Sequence, residues 1–352
     1  MADTRKYEKY LLEADKKASG NWECMEGSFQ DIVYYDIRCN SEVPNVLAYG
    51  LRYAPGTEGD GTLVQYPDHE EPNLPHAHAS AEYFIYLGLD PDHPDDLGGK
   101  FDIWLGTGEE AESYTVTKTA CVFMPPNTVH LPASFKEVRK PYGVFVVLNS
   151  PMRALYLVDK LPPGFKGKNT HDKAVRKQVS GARKYAQCVT ERDHGESDYF
   201  PSHKGKSHLL IRHDMRQHAG ATNAIEINLI YGAGIGWGCG DTVQYPNYQA
   251  PSLPHKHAWI ENYCFMGTDP RHPDDLGGTV EFWIGEGEEA EQYIISKPTI
   301  ILVPKNTVHL PMYVRELHNP FLAISVLDTP LAAELPVEHF PPGFQHIADK
   351  RQ

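Results

Sequence analysis

The sequence is short of cysteine, of positive charge and of long apolar runs, and each shortage excludes something. Its six cysteines (Cys24, Cys39, Cys121, Cys188, Cys239 and Cys264) form no CxxC pair and no even framework, which points to reduced thiols rather than a disulfide scaffold. Lys and Arg number 33 against 47 Asp and Glu, a net charge of −14, and no basic cluster stands out, so no nucleic acid and no membrane is expected as a partner. The longest apolar runs, such as residues 143–148, fall far short of the roughly 20 residues that span a bilayer. The opening residues are charged throughout and lack the apolar core of a secretory signal, so a cytoplasmic location is expected. Helical periodicity is scarce as well. Only YEKYLLEADKKA, with Tyr7, Leu11 and Leu12 able to share a face, has convincing helical spacing.

What the chain does have is turns and histidine: Gly 29, Pro 28 and His 18 in 352 residues. Short β-like runs, among them EYFIYLG, FDIWLG, ACVFMP and YGVFVVLN, alternate with Pro/Gly/Asp turns, the pattern of an all-β sandwich or barrel. The length suits two domains. An internal repeat makes them two copies of one domain, since residues 64–151 align without a gap on 243–330 and roughly half the positions are identical. Fainter matches extend outward: Lys6-Tyr7 with Lys184-Tyr185, Asp36 with Asp214, and the two PPGF tails. A boundary is expected in the polar stretch near residue 175, giving domains 1–175 and 176–352.

The repeated residues include a metal-ligand pattern. His76, His78 and Glu82 share one parity, and His130 follows the turn Pro125-Pro126-Asn127; His255, His257, Glu261 and His309 repeat the arrangement after Pro304-Lys305-Asn306. Three imidazoles and a carboxylate suit a borderline divalent metal. Burying such groups without a partner costs several kcal/mol, and all eight match in type where about half the other positions have diverged, so a metal site explains them better than packing does. The DPDHPDDLGG and DPRHPDDLGG loops and the two GEEAE blocks are read as capped turns and solvated acidic hairpins.

His-x-His-x3-Glu followed by Gly88 or Gly267, then Pro-x-Asn-x2-His, resembles the two motifs of the cupin superfamily, and two copies in one chain resemble a bicupin. The resemblance implies two tandem double-stranded β-helix (jelly-roll) barrels with a few short helices, each holding one Fe, Mn, Ni, Zn or Cu ion through its set of three histidines and one glutamate. Asn127 and Asn306 stand where the motif usually has Gly, and Asn can take the left-handed conformation that turn wants. The resemblance favours an enzyme acting on a small organic carboxylate, enol or aromatic, of dioxygenase type first and non-redox decarboxylase, isomerase or lyase second, with Glu82 or Glu261 able to serve as base. A non-catalytic small-molecule-binding cupin is the reading from another class. A homo-oligomer is expected. Where the copies differ, Arg52, His69 and Trp259 are the candidate substrate contacts, and the first site is expected to be the more polar.

Overall fold

A computed structural model describes residues 5–13, 27–61, 63–65, 70–151, 156–157, 183–192, 200–244, 249–331, 333–335 and 337–347. The domain boundary expected near 175 and the candidate contact His69 lie outside the described residues. Regular structure is almost entirely antiparallel strand, with isolated 3-10 turns. Among the described residues no helix is long and apolar enough to cross a membrane.

The chain forms two compact units, built mainly from residues 15–192 and from residues 193–352. In the first, one six-stranded sheet runs in the order Val189–Glu191, Ala120–Met124, Glu82–Gly88, Tyr142–Leu148, Val46–Arg52, Phe29–Tyr35. The facing sheet has Glu112–Lys118, Asp96–Leu105, His130–Val138, His76–Ala77 and Tyr156–Leu157 in order, with Gly56–Glu58 also on His130–Val138. Their inner faces enclose a core that includes Tyr86, Phe101, Phe135 and Leu105, all buried, as alternation along the strands requires. The second unit repeats this with Glu261–Gly267, Phe321–Leu327 and Ala224–Ile230 in one sheet and His309–Leu317 and Gly278–Ile284 in the other. The all-β double-barrel architecture expected from the repeat is what the chain adopts.

Each repeat gives its leading arm to the other repeat's barrel. Leu11–Glu13 does not continue a helix; it is a strand that pairs antiparallel with Thr299–Val303 of the second barrel, and Val189–Glu191 pairs with Ala120–Met124 of the first. The helical reading of YEKYLLEADKKA fails over its described part, residues 7–13, because Leu11 and Leu12 satisfy their backbone on the edge strand through Ile301 and Ile300. The same tripeptide, Arg-Lys-Tyr, precedes both arms. Lys6 and Tyr7 donate their backbone N–H groups to the Glu291 carboxylate at 2.8 and 3.2 Å, and Lys184 and Tyr185 donate to Glu112 at 2.9 and 3.2 Å. The last glutamate of each GEEAE block is therefore an anchor for an arm rather than part of a solvated hairpin. The DPDHPDDLGG loops are capped turns as expected, Asp90 accepting from the Asp92 N–H at 3.0 Å and Asp269 from the Arg271 N–H at 3.0 Å.

Candidate metal centres

The ligand sets are assembled from opposite sheets. His76 lies on a two-residue strand of one sheet and is in register with His130, while Glu82 opens a strand of the facing sheet after the chain has crossed between them. The convergence of His76, His78 and Glu82 thus comes from a sheet-to-sheet crossing, not from one extended strand with a common parity. Asn127 and Asn306 adopt φ of 63° and 61°, the left-handed turn expected of them, and each donates its backbone N–H at 2.7 Å, to the carbonyl of His78 and of His257. That bond ties the turn before the fourth ligand to the second.

In each set the four ligand atoms lie within 4.8 Å of one another. Five of the six rings are held through Nδ1 by a backbone carbonyl: His76 to Leu74 at 2.6 Å, His130 to Thr128 at 3.0 Å, His255 to Leu253 at 2.8 Å, His257 to Ala333 at 2.7 Å and His309 to Thr307 at 3.1 Å. A carbonyl can only accept, so Nδ1 carries the proton and the neutral ring turns the Nε2 lone pair inward. There His130 Nε2 faces Glu82 Oε2 at 2.8 Å, and His309 Nε2 faces Glu261 Oε2 at 2.8 Å. Lone pairs of neutral rings converging on a buried carboxylate need a cation among them, which is the fit a divalent metal makes. Burial pushes the Glu82 and Glu261 carboxyls up; protonated histidines beside them would outweigh it and hold both well below the usual range, and with the rings neutral that positive charge falls to the cation. His255 is pushed down to about 3 by burial together with His309 and His257, so its ring is neutral.

No family profile matches the sequence, and no curated protein matches it. Solved structures do. An oxalate decarboxylase from Lactobacillus farciminis, in a formate complex, matches with a TM-score of 0.55 at 10% identity, over 93% of this chain and 88% of that one. An oxalate decarboxylase from Bacillus subtilis matches with a TM-score of 0.51 at 11% identity, over 93% and 78%. The chain has the two-barrel fold of these structures. It carries two divalent-metal sites, each of three histidines and one glutamate.

The two barrels surround these sets with different side chains. The cavity of the second barrel is about 360 Å³ and is lined by His255, His257 and Glu261 together with Arg212, Glu226, Asn228 and Glu334. The cavity of the first is about 50 Å³ and mostly apolar, with Phe84, Val144, Val146 and Leu148 among its walls. The expectation that the first site is the more polar is thereby reversed. Its cause is the fate of Arg52. This side chain is fully buried, bonded to Glu58 Oε1 at 2.6 Å and to Ser28 Oγ at 3.0 Å, and stacked 4.0 Å from the Phe135 ring centroid. Its charge is satisfied inside the wall, and Arg52 does not line the cavity. In the second barrel the cross-strand register puts Ile230 and Trp237 where the first has Arg52 and Glu58. Trp259 is half-buried and lies outside the lining of the second cavity.

Three cavity residues escaped the sequence reading. Arg212, Glu226 and Glu334 stand where the first repeat has Tyr34, Ala48 and Leu155. A comparison of copies continued beyond the gapless block finds them, since each is an apolar or aromatic residue exchanged for a charge. Glu334 Oε2 lies 3.9 Å from His255 Nδ1, with more than half of its side chain open to solvent. Burial in the cavity mouth, with Glu261 and Glu226 adding to it, pushes its carboxyl above the usual range. That exposure limits the shift.

Proposed function

We propose that this bicupin is a divalent-metal-dependent enzyme that acts on a small organic carboxylate in its second barrel, by non-redox chemistry of the decarboxylase, isomerase or lyase kind. The observation that carries the reading is the shared cavity: the Arg212 guanidinium and a carboxyl raised above its ordinary range, Glu334, face the same space as the His255, His257 and Glu261 ligands. The structural neighbours, oxalate decarboxylases, favour this chemistry over the dioxygenase reading.

A metal held by His255, His257, Glu261 and His309 supplies Lewis-acid stabilisation of negative charge developing on the substrate. Arg212 provides the planar donor fork that a carboxylate takes in two bonds. It pairs with Asp214 in the same cavity wall, its Nε 3.6 Å from Oδ2, while Arg216 Nε reaches both oxygens of that carboxylate at 3.1 and 3.0 Å. Glu334 keeps its proton to higher pH than an ordinary glutamate and can pass it to a carbon that has lost a carboxyl group. Ala333, beside it, accepts the Nδ1–H of His257 at 2.7 Å, so the segment bearing the acid is tied to a ligand ring. Glu261, accepting from Ser325 Oγ at 2.6 Å, stays a ligand rather than a base in this scheme.

The test is a screen of C2 to C6 mono-, di- and hydroxycarboxylates with the manganese-loaded protein, following CO2 release or isomerisation alongside dissolved oxygen. Turnover without oxygen consumption is expected. Oxygen consumed in step with product would replace this reading with the dioxygenase one.

A further inference from the structure

The two repeats serve as each other's control. In the second barrel His255, His257 and Glu261 all border the cavity; in the first, Glu82 alone of its set does. His76 is 1% exposed where His255 is 9% exposed. The walls differ at matching positions: Ala48 opposite Val146 in the first barrel, Glu226 opposite Ser325 in the second. Phe84 stands where the second has Tyr263. A cavity of about 50 Å³ has room for about four water molecules and for no organic acid beyond the smallest.

One polar side chain enters that small space with no protein partner. Asn73 is 4% exposed, lines the cavity beside Glu82, and neither its Nδ2 nor its Oδ1 is hydrogen-bonded to the protein. At the matching position in the second repeat, Ser252 Oγ accepts the Gly238 N–H at 2.8 Å and is satisfied internally. A buried amide that can both donate and accept, entering a small cavity beside Glu82, is suited by water, since left dry its side chain would forgo every hydrogen bond it can make.

We infer that the first barrel holds its metal as a closed stabilising centre, with a few ordered waters held between Asn73 and the His76, His78, Glu82, His130 set, and that exchange of larger ligands is confined to the second barrel. The inference concerns the first barrel and stands or falls independently of what the second turns over.

The test needs no substrate. Protein loaded with two equivalents of Zn2+ is mixed with excess EDTA, and the metal retained is followed by desalting and elemental analysis. Two phases are expected, one equivalent leaving at least about tenfold more slowly than the other, a separation of the size that surroundings beyond the ligands impose on metal sites. The slow phase is expected to vanish in His76→Ala/His78→Ala, and the fast phase in His255→Ala/His257→Ala. Asn73→Ala is expected to speed the slow phase by about tenfold and leave the fast one unchanged, which keeps the assignment testable if the first double variant does not fold. Release of both equivalents at one rate, the opposite assignment of the phases, or a slow phase indifferent to Asn73→Ala would overturn the inference.

Discussion

Glu226 stands directly opposite Ser325 across the antiparallel pair Ala224–Ile230 and Phe321–Leu327, at the register where the first barrel pairs Ala48 with Val146. Both members of the polar pair face the second cavity, and Ser325 is bonded onward to the ligand Glu261. The difference between the two centres is thus written in the strands behind the metal, not in the ligand sets, which are the same in both.

The Arg212 guanidinium in that cavity gives the first prediction. Arg212→Ala removes a charge-assisted contact worth about 1.5–3 kcal/mol, so the KM for a carboxylate substrate rises about 10- to 100-fold. Both metals are retained, since Arg212 lies outside the ligand set. Steady-state kinetics with elemental analysis checks it, and an unchanged KM would remove Arg212 from substrate binding.

The pH dependence follows from Glu334. Its carboxyl is raised above the ordinary glutamate value, and the proposed reaction uses its protonated form. The rate therefore falls as pH rises through that raised value, and it is held on the acid side. Glu334→Gln, which can donate a hydrogen bond but not a proton, is expected to lose most of kcat and that descending limb together. A kcat profile of Glu334→Gln parallel to that of the parent protein would assign the limb to another group.

Arg52 makes a stability prediction in place of the substrate role expected of it. Arg52→Ala leaves Glu58 buried without its cation and is expected to cost about 3–5 kcal/mol. Replacing both, by Arg52→Ile with Glu58→Trp, copies the pair that the second barrel already uses and is expected to recover most of that loss. Urea denaturation of the single and double variants measures the coupling; additive effects would show that the ion pair is incidental.

The exchanged arms predict a second stability effect. Tyr7 is 9% exposed in the core of the second barrel, and Arg5 stacks 4.2 Å from the Tyr293 ring centroid. Tyr7→Ala is expected to destabilise the second unit by about 3 kcal/mol. Glu291→Gln weakens the same anchor by a smaller amount, because it keeps the acceptor oxygen for one of the two N–H groups it now receives. Thermal unfolding resolved by unit, with the first unit as internal reference, reports both.

The sequence by itself determined the duplication, the strand-rich character and the eight candidate ligands that the fold brings together, because those signals are local: a run of residues, a turn, a spacing that recurs in register. It even settled the turn before the fourth ligand, since Asn is one of the few side chains that tolerates φ near 60°. It did not reveal which charges face the cavities. Arg52 reads as a candidate contact until its neighbours Glu58, Ser28 and Phe135 are brought against it, and Glu334 reads as a tail residue until the fold sets it 3.9 Å from His255. The lending of each arm to the opposite barrel was equally hidden, for Leu11 pairs with Ile301, nearly the whole chain away. Whether a charge is satisfied within a wall or offered to a ligand depends on the groups that reach it from other strands. Cross-strand neighbours are fixed by tertiary register, which no local pattern encodes.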